Sequence, residues 1–397
     1  MGHAAHTSGE PRAGGLWPLT PEGDPIARGV SNGETRPSPT GALPIDDPAT
    51  GSMIGWCEPT TSEILDLIVA DSATAFPAWA ATPACDRATA MLAGAHAIEQ
   101  HAADLIEQVI AEVGKTRPEA EGDVRGGVAL LKSFAAIAES AAQIADLSGR
   151  EGTGRADEVL VHRSPVGPVA VITPWNTPVY LTMNCVAPAL AAGCTVIVKP
   201  AEAAPLAVTA ALQLLSEALP PGVLSVVQGQ GAATGTALCE HPDIRGISFV
   251  GGIVAGRQVI QAASATIKKV SLELGGNDPA IVLADAELDE VAYRELIAGC
   301  FSLSGQVCFN IKRIYVHRSR FDEFVVGFRH LVDQIVVGPP TWSEVLMGPL
   351  TTVAGYENAL RLLEELRGST ATVHEGGRFA AGADIAAGRF VRPTIVT

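Results

Sequence analysis

Between residues 168 and 264 short apolar segments alternate with helical ones, and this run constrains the fold more than any other feature. Strands are expected at 168–173, 194–198, 223–228 and 246–250. Helices are expected at 181–191, 204–218, 232–240 and 254–264. The strands carry no polar face; Val196-Ile197-Val198 is typical. A strand apolar on both faces must be covered on both, and strands joined by helices run parallel. The stretch is therefore predicted to be a parallel sheet between helical layers. A second series follows Glu273, with strands at 279–284 and 312–317 and helices at 287–300 and 321–334. A domain boundary is placed near 273–276, and the fold class is α/β in two parts, as suits 397 residues.

Upstream the character changes. Residues 1–44 are rich in Gly, Pro, Ser and Thr without apolar periodicity, so a mobile tail is expected. From Ser62 to about Glu139 the pattern is helical, punctuated by Pro77, Pro83 and Gly114. Residues 151–164 include the β-prone run Glu158 to Arg163, a candidate hairpin. The formal net charge of −16 repels phosphate backbones, which argues against nucleic-acid partners. No run of about eighteen apolar residues is free of charge and helix breakers, so no membrane span is expected. The N-terminus lacks a basic start and an apolar core, so a cytoplasmic protein is expected. The seven cysteines form no CxxC pair, which gives no sign of a zinc site or a disulfide framework.

Several short motifs could carry chemistry. Gly229-Gln230-Gly231-Ala232-Ala233-Thr234-Gly235 and Phe249-Val250-Gly251-Gly252-Ile253-Val254-Ala255-Gly256 both lie between a strand and a helix. Each suits either a tight turn or a phosphate at a helix N-terminus. Lys199-Pro200-Ala201-Glu202 follows a strand, where open α/β sheets bind ligands; alone it also reads as a solvated pair. Glu202 would suit ribose hydroxyls and repel a 2′-phosphate, which favours NAD over NADP. Glu273 stands among apolar residues at a strand end, where burying a carboxylate is costly unless it is paired or used. Asn176 sits on a Pro-rich loop after a strand, where turn chemistry is the simpler explanation. Cys308 lies in Gly305-Gln306-Val307-Cys308, and most such cysteines are inert core residues.

Together the motifs say more. Pro174-Trp175-Asn176, Lys199 to Glu202, Phe249-x-Gly251-x4-Gly256, Glu273-Leu274-Gly275-Gly276 and Gly305-Gln306-x-Cys308 occur in this order. The set resembles the aldehyde dehydrogenase superfamily from about residue 45 to the last residue, with lesser agreement at Asp47 to Gly51, Glu112-x-Gly114-Lys115 and Met347 to Leu350. The resemblance implies a Rossmann-like NAD-binding domain over 45–150 and 165–274, and a catalytic domain from 275 to 397. It implies an oligomerisation hairpin over 151–164 and a homo-oligomer. It further implies oxidation of a small-molecule aldehyde to a carboxylate with NAD. Cys308 would be the nucleophile, Asn176 with the Cys308 backbone N–H the oxyanion donors, and Glu273 the base that hydrolyses a thioester. Lys199 and Glu202 would hold the adenosine ribose, and Gly251, Gly252 and Gly256 would face the pyrophosphate. Ile172, Thr173, Trp175, Phe249 and Leu274 would line the cofactor cleft, with Gly231 and Gly235 nearby.

Two departures alter the expectation. Gly251-Gly252-Ile253 stands where relatives often have Gly-Ser-Thr, which removes a hydroxyl. Relatives also continue past Thr394-Ile395-Val396 to a Glu-x-Phe-Gly-Pro segment that holds the nicotinamide ribose. The chain is thus expected to be complete at Asn176, Glu273 and Cys308 but to have an incomplete second domain. Three behaviours fit: aldehyde dehydrogenase, a truncated remnant that binds only nucleotide, and a thiol esterase working without cofactor.

Overall fold

The structure is a computed structural model and describes residues 16–38, 41–142, 145–148 and 158–397. Its main sheet is built from β1 (Gly29–Ser31), β2 (Glu34–Arg36), β3 (Val169–Ile172), β4 (Val196–Lys199), β5 (Leu224–Val226), β6 (Gly246–Gly251) and β7 (Lys269–Leu274). The order across it is β7-β6-β3-β4-β5-β1-β2. Neighbours from β7 to β5 run parallel, with Ile172 opposite Lys199 and Gly251 opposite Leu274. Every residue of β3, β4 and β5 is buried, as strands apolar on both faces require. The chain moves from β3 outward through β4 and β5, then returns across β3 to add β6 and β7. The reversal lies between β3 and β6, and ligands of open α/β sheets bind beyond the carboxyl ends at such a point.

The helices cover this sheet: α1 (Ser62–Ala81), α2 (Ala84–Gln100), α3 (Ala102–Val113), α4 (Arg117–Ala142), α5 (Pro178–Ala191), α6 (Leu206–Ser216), α7 (Thr236–Glu240) and α8 (Ile253–Ser264). Pro77 does not break α1 as expected; it lies inside the last turns, where burial of Trp79 holds the helix together. By length and composition α1 could cross a bilayer, yet it buries Leu65, Ile68 and Val69 in the protein core. Gly114 ends α3 with φ 83°, and a Cβ there would also stand 2.6 Å from Pro349 Cγ, so glycine is needed twice over.

The expected tail over 1–44 needs correction for its described part. Residues 26–36 supply strands, and β1 joins the main sheet antiparallel to β5 through Val30 and Val226. Trp17 also donates its Nε1–H to the Leu206 carbonyl at 3.1 Å. Strands this short have no period to read; they form because β5 offers an edge. The hairpin likewise starts earlier than 151: Ala145–Asp146 pairs with Leu160–Val161. Residues 151–157 of that expected segment lie outside the described residues.

The second part begins after β7. It contains β8 (Asp278–Val282) paired parallel with β9 (Ile311–Val316), α9 (Glu290–Phe301), α10 (Phe321–Val332) and α11 (Val353–Arg367). Its core gathers Tyr293, Phe324, Phe328 and Val332, with the Phe324 and Phe328 rings stacked at 5.4 Å. Arg389 fastens it to the first part through its bond to Asp46, while its bonds to the Leu350 and Thr351 carbonyls hold the guanidinium in place from within the second part.

Glu112, at the end of α3, is fully buried and caps α6. Its two oxygens accept the Leu206 and Ala207 N–H groups at 2.9 Å each. Burial pushes the Glu112 carboxyl up to about 8, against the pull of those two donors. A carboxyl raised on folding contributes most below its ordinary range near 4.5 and loses that contribution as pH rises through 8. Glu112→Gln would turn a donor onto one backbone N–H. It is expected to cost about 1–3 kcal/mol and to flatten the decline of the denaturation midpoint between about pH 4.5 and about pH 8. Chemical denaturation of both chains across that range checks it.

Candidate active site

The chain leaves β3 at Ile172 and turns above the sheet. The Thr173 N–H donates to the Lys199 carbonyl at 3.2 Å, and its hydroxyl meets that of Thr182 at 2.8 Å. Trp175 is half-buried and packs against the main core. Pro178 then opens α5 at its first helical position, where a missing N–H costs nothing. Asp123 of α4 receives the Tyr180 N–H at 2.7 Å and so caps α5 from outside. Between these anchors Asn176 is buried, with Nδ2 donating to the Gln306 carbonyl at 2.8 Å. A carbonyl only accepts, so this contact fixes which end of the amide faces the Cys308 loop.

That loop begins as a tight turn over Ser302–Gly305. Leu303, Ser304 and Gly305 have φ of 53°, 55° and 77°. Left-handed backbone at two residues that are not glycine costs on the order of 1–3 kcal/mol each and persists only where the surroundings enforce it. Glu119 accepts the Leu303 N–H at 2.6 Å, and Ser304 donates its hydroxyl proton to the Gly348 carbonyl at 2.8 Å. Beyond the turn, buried Asn310 accepts the Val307 N–H at 2.7 Å. Cys308 itself is exposed, and its carbonyl accepts the Gly276 N–H at 3.0 Å. A Cβ on Gly276 would lie 3.0 Å from that carbonyl oxygen and 2.4 Å from Asp278 Oδ1, so only glycine lets the segment after Glu273 approach Cys308.

Glu273 departs from expectation. β7 is an edge strand on which Lys269, Ser271 and Glu273 face outward while Val270, Leu272 and Leu274 are half-buried. The apolar neighbours of Glu273 in sequence point to the other face, because side chains alternate along a strand. Glu273 is therefore an exposed carboxylate, and the desolvation expected of it is absent. Burial pushes the Cys185 thiol up, a hydrogen bond with Ser248 draws it down, and the charge of Glu273 pushes it up again. Glu273 thus lies within electrostatic reach of α5, the helix that follows Asn176.

Other named residues ring the carboxyl ends of the same strands. Lys199 ends β4 and is buried, its Nζ donating to the Pro200 carbonyl at 3.0 Å and to Glu202 Oε2 at 3.2 Å. Gly235 packs on the Lys199 stem at 3.5 Å for a built Cβ, and Gly231 is exposed with nothing nearby. The helix expected over 232–240 opens as a π-helical turn at Gly231–Gly235, a form often found at functional sites. Gly252 caps α8 with no side-chain hydrogen bond, and a Cβ there would meet nothing within 4 Å. The first N–H groups of α8 therefore open on space, as an anion site needs. The Phe249 ring folds over Gly251, 2.6 Å from where a Cβ would stand. Gly256 is buried with its built Cβ 2.7 Å from Leu274 Cδ2, so glycine there lets α8 pack closely on β7. Uncapped helix, buried lysine and neighbouring carboxylate together suit a dinucleotide: a pyrophosphate before α8 and ribose hydroxyls at Lys199 and Glu202.

The sequence model of the Aldehyde dehydrogenase family matches residues 36–397. The chain belongs to this family. It is 35% identical to the mitochondrial succinate-semialdehyde dehydrogenase of Arabidopsis thaliana over 85% of this chain and 63% of that one. A crystal structure of a putative aldehyde dehydrogenase from Burkholderia cenocepacia superposes with a TM-score of 0.87 at 32% identity, covering 93% of this chain and 75% of the other. Betaine aldehyde dehydrogenase from Staphylococcus aureus in complex with NAD+ gives 0.87 at 27% identity, covering 93% and 73%.

Within this chain the structure joins Asn176 to the Cys308 loop, and joins that loop to the segment that follows Glu273. Other residues make those joints. Glu119 and Asp123 sit one helical turn apart near the start of α4, and Gln306 and Asn310 stabilise the Cys308 loop from within. Of the buried Lys115–Asp123 pair, 2.8 Å apart, only Lys115 stands in a motif. Burial pushes the Lys115 ammonium down and Asp123 pulls it back up. A signal did exist: Glu119 and Asp123 share one helix face at i and i+4. Nothing in the sequence said what that face meets.

Proposed function

We propose that this chain oxidises an aldehyde to a carboxylic acid with NAD, through a thioester on Cys308. The observation that carries the reading is the 2.8 Å hydrogen bond from Asn176 Nδ2 to the Gln306 carbonyl, which sets a buried amide beside the exposed Cys308. An asparagine amide has two N–H donors. One is spent on Gln306; the other is free for an oxyanion formed when the Cys308 sulfur bonds to the aldehyde carbon and the C=O electron pair moves to oxygen. The Cys308 N–H is the second donor. Such donors are each worth about a hundredfold to a thousandfold in rate. The dinucleotide, when bound, supplies a hydride acceptor. Glu273 then takes a proton from water, whose oxygen attacks the thioester, and the Cys308 thiolate leaves.

NAD rather than NADP is supported by Glu202, held 3.2 Å from Lys199 Nζ where a 2′-phosphate would meet a carboxylate. A small aldehyde is the substrate class, and relatives of this chain include both a succinate-semialdehyde and a betaine-aldehyde dehydrogenase. The family's hydrolytic branch is favoured by the presence of Glu273. The exposed strand Leu160–Val161 supports pairing of the hairpin with another copy, a homo-oligomer.

Incubation with a panel of aldehydes and NAD, followed by absorbance of NADH and intact mass, tests the reading. NADH with carboxylate release supports it. Nucleotide binding without turnover would leave a binding remnant, and ester cleavage indifferent to NAD would leave a thiol esterase. A further expectation concerns Gly252. With φ −76° and ψ 152° it has the backbone of a helix cap and room for a side chain. Gly252→Ser should tighten NAD by about 1–3 kcal/mol by adding one hydrogen bond to a charged phosphate. Calorimetric titration with unchanged affinity would show that the pyrophosphate lies elsewhere.

A further inference from the structure

We propose that Glu119 is a positioning residue that holds the Cys308 loop at its working distance from Asn176. Its catalytic consequence rests on the aldehyde-oxidising reading above; its structural claim does not.

The turn before Cys308 cannot hold itself. Leu303 and Ser304 are both left-handed, an arrangement that side chains bearing a Cβ disfavour. Glu119 Oε1 accepts the Leu303 N–H at 2.6 Å. Its other oxygen accepts the Thr116 N–H at 3.0 Å and the Thr116 hydroxyl at 2.8 Å. A carboxylate fixed by three donors cannot swing away, so it works as a clamp rather than a passing contact. The restraint passes along the loop. The Gln306 N–H and side-chain amide both donate to the Leu303 carbonyl, at 3.0 and 3.1 Å. The Gln306 carbonyl in turn receives Asn176 Nδ2.

One turn further along α4, Asp123 performs the matching task for Asn176. It receives the Tyr180 N–H at the start of α5 and is itself locked by buried Lys115. Two carboxylates on one helix face therefore grip the two loops whose side chains must meet. Glu119 crosses from the cofactor part to the catalytic part, whereas Asp123 stays within the first. The spacing of α4, rather than either loop, sets the separation of Asn176 and Cys308.

The test uses the full chain with Glu119→Gln, which keeps shape but turns one acceptor into a donor. Glu119→Asp is the second variant: it keeps the charge and withdraws the carboxylate by one methylene. Amide hydrogen exchange is read on the peptide over 302–309 and on that over 178–184. In both variants exchange over 302–309 should rise about tenfold or more while 178–184 stays as in wild type. Asp123→Asn should show the reverse pattern. NADH turnover should fall about thirtyfold to a hundredfold in kcat, with KM for the aldehyde and NAD affinity within about twofold, because misplacement rather than binding is affected. Unchanged exchange over 302–309 in both variants would overturn the proposal, as would a uniform rise across the whole molecule. If the wild-type chain forms no NADH, the reading of its activity fails, and the exchange pattern still decides the role of Glu119.

Discussion

Cys308→Ala is expected to remove NADH formation and ester cleavage together, by about 10⁴-fold or more, since both need the same sulfur. The other thiols offer no substitute. Burial holds the Cys57 thiol up at about 12, and Cys239 and Cys300 at about 11. Cys185 is also buried and raised, and Cys194 is buried. At pH near 8 a thiol held at about 11 or 12, as Cys57, Cys239 and Cys300 are, is ionised in about one molecule in a thousand or fewer, and it is the thiolate that attacks. Cys85 and Cys308 alone among the described cysteines are exposed, and Cys85 lies at the start of α2, not at the carboxyl ends of the strands. Alkylation with iodoacetamide followed by peptide mass analysis should mark these two and leave the rest. Loss of activity should track the modification of Cys308 and ignore that of Cys85. Activity surviving in Cys308→Ala would remove the covalent mechanism altogether.

The candidate residues drew notice because each sits in a short motif beside a strand. Pro-Trp-Asn, Lys-Pro-Ala-Glu and Gly-Gln-x-Cys need no partner from elsewhere to be noticed. The parallel sheet was legible for a different reason: Val196 to Val198 and their counterparts have no polar face to turn to water. The failures share a cause too. Glu273 looked buried because its sequence neighbours are apolar, yet a strand sends neighbours to opposite faces. Gly256 also makes room for Leu274, a packing partner that its own motif does not reveal. Strands β1 and β2 were hidden because their stability comes from the edge of β5, nearly two hundred positions away in the chain. Glu119 was hidden likewise: its partner Leu303 is 184 residues distant. Long-range hydrogen bonds leave no local trace, and in this protein they hold the site together.

Glu273→Gln is expected to separate the two halves of the reaction. The glutamine keeps the size of the side chain and loses the ability to take a proton from water. Attack by Cys308 and loss of hydride need no base at this position, so one equivalent of NADH per chain should appear at nearly the wild-type rate. Hydrolysis should then slow by about 10²- to 10⁴-fold, the usual worth of a general base. Intact mass taken after the burst should carry the acyl group, and Cys308→Ala should carry none. The exposed setting of Glu273 sharpens the test. A carboxylate on the outer face of an edge strand already meets water, and the Gly276 N–H just after it is bonded to the Cys308 carbonyl. If Glu273 serves only to hold β7 in place, the burst and the steady rate should fall together. A burst that persists while the steady rate collapses requires a proton acceptor at that side chain, and no packing role can imitate it.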